Sequence, residues 1–136
     1  MIPKQGAGRL QWNAGWFGAQ VGSSCWLLIA GVGAAARYPQ LSALMIGCFL
    51  IPNIFGTVLW FRRDRVDPYV AYQLLLLVLL VATAAALLGA DYLGVLGALD
   101  RRFQNPRDMY WILCLFPALM LALRYLNRRR SNNASR

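Results

Sequence analysis

Four apolar stretches, each about 20 residues long, are separated by short segments that hold the charge. A hydrocarbon layer about 30 Å thick is crossed by about 20 helical residues, so each stretch has the length of one transmembrane helix. Backbone polar groups inside a bilayer must be satisfied within the chain, which leaves helices as the form such stretches can take. The expected fold is therefore all-α: an integral membrane bundle of four transmembrane helices. The spans are read as residues 12–36, 41–61, 68–88 and 109–125. Residues 1–127 form this domain, and residues 128–136 are a short basic and polar tail read as disordered.

Local signals set the ends. Arg37-Tyr38-Pro39-Gln40 closes the first span, and Arg62-Arg63-Asp64-Arg65 closes the second. Asp67-Pro68 opens the third, with Asp as N-cap and Pro in the first turn. Gly89-Ala90-Asp91 is read as its stop, and Asp108 as the cap of the fourth. Pro52 and Pro117 fall inside helices two and four. Each removes one backbone hydrogen bond and crowds the preceding turn, so both helices are expected to kink. Residues 92–99 either extend helix three, lie in the interface or re-enter the membrane.

The charge is one-sided. The chain carries a formal net charge of +9, from 14 Lys and Arg against five Asp. Lys4 and Arg9, the loop Arg62, Arg63 and Arg65, and the C-terminal Arg124, Arg128, Arg129, Arg130 and Arg136 all fall on one side of a four-span topology. Arg37, Arg101, Arg102 and Arg107 fall on the other. Lys and Arg excess marks the cytoplasmic side, so both termini are expected in the cytoplasm and the protein in the cell's inner membrane. The clusters Arg62, Arg63, Arg65 and Arg128, Arg129, Arg130 set topology and suit anionic lipid headgroups. A three-residue basic run makes too few phosphate contacts for nucleic acid.

Several chemistries are excluded. There is no His and no Glu, and the three Cys have no paired spacing. No catalytic cluster, nucleotide-binding loop or metal-ligand set is legible. No enzyme activity, cofactor or metal is expected. No carboxylate or amine lies within any span core, which weighs against proton coupling and voltage sensing. In size and span count the chain resembles the small multidrug resistance transporters. Their first helix carries a glutamate that couples drug to proton, and helix one here has no acid.

What remains is uncharged. On helix one, Asn13, Gln20, Ser24 and Gly31 share a line, with Gly15, Gly18, Gly22 and Gly33 on the opposite side. Small-xxx-small spacing lets helix backbones approach closely, so these glycines are read as a packing face, within the bundle or against a second copy. Helix one is accordingly expected to be the most enclosed. Helix two adds Asn53 and Thr57, and helix three adds Gln73. At about 1.5 Å per residue, Gln20 and Asn53 lie at one depth, about 12 Å from the inner surface, with Gln73 slightly shallower. Asn13, Gln20, Ser24, Asn53, Thr57 and Gln73 are thus candidate lining for a polar path. Trp12, Trp16, Phe17, Trp60, Phe61, Tyr69 and Tyr72 read as an interfacial aromatic belt. The pattern suggests a homo-oligomeric channel or facilitator. The alternative is a structural subunit of a larger membrane complex. Besides the bilayer, the expected partners are copies of the chain or other membrane subunits.

Overall fold

A computed structural model describes residues 12–96 and 105–134. The expectations placed on Lys4, Arg9, Arg101, Arg102, Arg136 and residues 97–99 lie outside the described residues. Four helices account for nearly all of the described chain: α1 (Gly15–Ala34), α2 (Pro39–Phe61), α3 (Pro68–Tyr92) and α4 (Ile112–Ala134). A 3-10 segment, Pro106–Trp111, leads into α4. Four helical stretches, Gly15–Ala34, Pro39–Phe61, Pro68–Tyr92 and Arg107–Arg129, are long and apolar enough to cross a membrane, so the all-α, four-span architecture is the one the apolar stretches call for.

The ends follow the local chemistry, with four corrections. Asp67 caps α3 as expected, its carboxylate accepting the Tyr69 N–H at 2.8 Å. Pro39, read as part of a turn, is instead the first residue of α2. A proline at that place needs no N–H and already has a helical φ. The stop read at Gly89 is overrun, and α3 continues to Tyr92. Gly89 serves packing instead, because a Cβ there would collide with the Leu44 side chain on α2. The helix ends in two bonds, Val95 N–H to Ala90 O at 3.0 Å and Gly94 N–H to Asp91 O at 2.9 Å, with Gly94 at φ +68°. This is the left-handed glycine cap that closes a helix without strain. Of residues 92–96, Tyr92 ends the helix and 93–96 turn away from it, with Leu96 packing into the core. The entry to the last span is capped by Asn105, which accepts the Arg107 N–H at 3.2 Å, not by Asp108. Finally, α4 does not stop near Tyr125: its backbone stays helical to Ala134, through the segment read as a disordered tail.

Packing follows chain order. α1 lies along α2, α2 along α3, and α3 along α4, while α1 and α4 do not pack along each other. The bundle is thus open on one side. α3, not α1, is the most enclosed helix. Two apolar clusters hold it together. One, toward the α1–α2 turn, includes Leu27, Leu41, Met45, Ala86 and Leu87. The other, toward the α2–α3 turn, includes Trp16, Leu59, Leu75, Leu79 and Phe116. Since lipid is as apolar as these side chains, their contribution is close van der Waals packing and not expulsion from water.

The aromatic residues at the α2–α3 end do more than rim the bundle. Trp16 is buried and donates its indole N–H to Gly56 O at 3.1 Å. Its ring meets Trp12 at 4.7 Å and Tyr72 at 4.9 Å. Trp12 donates to Val66 O at 3.2 Å, tying the start of α1 to the α2–α3 loop. Trp16 is therefore a core residue and not part of a belt. Phe61, 78% exposed, keeps the belt position.

Candidate functional site

The polar face of α1 meets α2 in one compact cluster. Gln20 donates from Nε2 to Asn53 O at 2.6 Å, with Asn53 Oδ1 at 3.4 Å and Thr57 Oγ1 at 3.3 Å also in reach. Asn53 Nδ2 donates to Ser24 Oγ at 2.8 Å and to Phe49 O at 2.7 Å. Ser24 Oγ donates to Gln20 O at 2.9 Å, and Thr57 Oγ1 to Asn53 O at 2.8 Å. The cluster is built around Pro52. A proline cannot donate and loosens the turn before it, and in lipid the exposed carbonyls need new donors. The carbonyl left without its helical donor is that of Cys48, and the Asn53 amide, one residue on, gives the neighbouring Phe49 O an added donor. Pro52 itself is buried against protein, whereas Pro117 on α4 is exposed.

Close approach makes these bonds possible, and it comes from glycines other than those expected. A Cβ on Gly56 would stand 2.6 Å from Gln20 Oε1 and Cδ. A Cβ on Gly31 would stand 2.9 Å from Ile46 Cγ1 and 3.2 Å from Met45 Cβ. By contrast, Cβ atoms on Gly18, Gly22 and Gly33 would meet nothing within 4 Å, and one on Gly15 would meet only Asn13. The predicted packing face of α1 therefore meets no other helix closely among the described residues. Gly31 lies on the polar line of α1, and its contact with α2 is the signal that sequence periodicity left unread.

Two of the expected lining residues go elsewhere. Asn13 is exposed and accepts the Gly15 N–H at 2.9 Å, a local turn at the helix start. Gln73 faces α4, where Nε2 donates to Met120 O at 3.1 Å. The convergence of three amides is thus a convergence of two, with the third linking a different helix pair. Among the described residues, two buried oxygens lack a hydrogen-bond partner, Gln20 Oε1 and Thr83 Oγ1. Gln20 Oε1 lies where a side chain at position 56 would begin, against the backbone of α2.

The open side of the bundle forms a groove of about 1010 Å³. One wall is Gly18, Ala19, Gly22 and Ser23 of α1; the floor is Leu75, Leu76 and Leu79 of α3; the other wall is Ile112, Leu115, Leu119 and Leu123 of α4. Ser23 donates back to Ala19 O at 2.6 Å, so its hydroxyl is spent within its own helix. Among the described residues, no group of three or more Cys and Asp side chains could hold a metal ion. Comparison with protein families, with curated proteins and with solved structures finds no significant match to this chain.

Proposed function

We propose that the protein is a structural subunit of a membrane assembly, and that the groove between α1, α3 and α4 receives one transmembrane helix of another subunit. The observation that carries this reading is the unpacked small-residue wall, Gly18-Ala19 and Gly22-Ser23, facing an open groove within the span. Small residues on a membrane helix let a second backbone approach closely, and association in lipid depends on that approach. Among the described residues, no helix of this chain makes the approach.

The channel reading draws on Gln20, Ser24, Asn53 and Thr57. Their donors are turned toward one another and toward backbone carbonyls, between two tightly packed helices. They act as a clamp, which leaves a path of this chain's own without its polar lining. Catalysis has no candidate group in this arrangement, and the subunit is proposed to have no enzyme activity.

Purification in a mild detergent, with mass measurement, tests the proposal. Wild type is expected to carry a second polypeptide in fixed ratio, and the pair Gly18→Leu and Gly22→Leu to lose it while α-helical content is kept. A monomer whose mass is the same in wild type and variant would sink the proposal. A homo-oligomer that conducts ions in liposomes would replace it with the channel reading.

A further inference from the structure

The arginines that the sequence divides into two clusters meet at one end of the bundle. The bond from Gln73 to Met120 O fixes the register of the antiparallel pair α3 and α4. Five residues before Gln73, α3 begins at Pro68; five residues after Met120 is Tyr125. At about 1.5 Å per residue both lie about 7 Å beyond the bond, so Arg124 is level with the first turn of α3. Arg128 and Arg129 are then level with the loop that holds Arg62, Arg63 and Arg65. The helical continuation of α4 is what puts them there as an ordered arm.

All six of these arginines are exposed. None makes an ion pair among the described residues, although Asp64 and Asp67 lie in the same loop. Asp67 is instead engaged as the cap of α3. One contact orders the patch: the Arg63 guanidinium sits 5.1 Å from the centre of the Trp60 ring. That cation–π contact holds a positive charge at the last turn of a membrane span and leaves guanidinium N–H groups for a further acceptor. This charge, without an ion pair among the described residues, lies where the apolar spans end, at the depth of lipid headgroups. Clusters of four to eight Lys or Arg at such a place attract anionic lipid, and guanidinium matches a phosphate in two-pronged fashion.

We infer that the α2–α3 loop and the arm of α4 form one binding surface for anionic phospholipid headgroups. This goes beyond the assembly reading and does not depend on the groove. The shared chemistry is a phosphodiester at the membrane surface, so free phosphate is the competing source.

The test uses the full chain, delipidated in a neutral detergent, with bound lipid counted by native mass spectrometry. Phosphatidylglycerol is expected to bind at least about tenfold more tightly than phosphatidylcholine. The triple variant Arg62→Gln, Arg63→Gln, Arg65→Gln and the triple variant Arg124→Gln, Arg128→Gln, Arg129→Gln are each expected to lose most of that preference. Because these side chains are exposed, both variants are expected to elute as wild type does. Arg37→Gln with Arg107→Gln, at the opposite end, is expected to keep the preference. Equal binding of the two lipids, full binding by either triple variant, or an equal loss in the opposite-end variant would overturn the inference. So would displacement by inorganic phosphate at the concentration of the lipid, which would assign the surface to free phosphate.

Discussion

Gly56 is where the clamp between α1 and α2 is most sensitive. Its missing side chain lets Gln20 lie against the backbone of α2, and Trp16 bonds to its carbonyl one turn away. A methyl group at this position would occupy the space of the Gln20 amide, and the bonds from that amide to Asn53 O and Thr57 Oγ1 restrict where it can go. Overfilling a packed site costs about 1–3 kcal/mol. Gly56→Ala is therefore expected to lower resistance to denaturing detergent by about that amount, read from a titration followed by circular dichroism. Gly18→Ala, into open space, is expected to cost nothing and to gain about 0.5–1 kcal/mol from helix propensity. Equal effects at the two glycines would show that the α1–α2 contact is looser than the geometry requires.

At the level of the helices, α4 is held less firmly than the other three. It packs on α3 alone, and much of its apolar face is open, with Leu115 at 56% exposure and Leu121 at 65%. The bond from Gln73 to Met120 O is the polar tie seen between them. Interhelical hydrogen bonds in membranes are worth about 0.6 kcal/mol, with about 2 kcal/mol as an upper value. Gln73→Leu is thus expected to cost little in global stability. Because α4 has few other ties, the same change should speed amide exchange around residues 119–125 while leaving α1 and α2 unchanged. Exchange unchanged at α4 would mean that Phe116 and its neighbours hold the helix without the amide. These elements also show what a sequence reader can and cannot see. Span existence, the Asp67-Pro68 start and the shared depth of Gln20 and Asn53 follow from hydropathy, capping chemistry and helical rise, which are local. The end of α3 was missed because Gly89 packs against Leu44, a residue 45 positions away. Gly31 and Gly56 were missed as packing glycines for the same reason. Helical spacing shows which residues share a face, but only the fold shows what that face meets.

For the molecule as a whole, four spans place both termini on one side of the membrane, whichever side that is. The arrangement of charge then chooses between the two orientations. The end where α2 meets α3 carries Arg62, Arg63, Arg65, Arg124, Arg128 and Arg129 at its surface, against Arg37 and Arg107 at the other end among the described residues. Moving six guanidinium groups across a bilayer is far costlier than moving two, and retention of Lys and Arg sets orientation during insertion. One orientation, with the arginine-rich end in the cytoplasm, is therefore expected to predominate. A version with Cys25, Cys48 and Cys114 replaced by Ala would carry one new cysteine at a time, Asp64→Cys or Asp108→Cys. Both positions are exposed, and they lie at opposite ends. With a membrane-impermeant maleimide on intact cells, Asp108→Cys is expected to be labelled. Asp64→Cys is expected to react only after the membrane is opened. The reverse pattern would invert the orientation and place the arginine surface outside, and labelling of both in intact cells would mean that the chain inserts both ways.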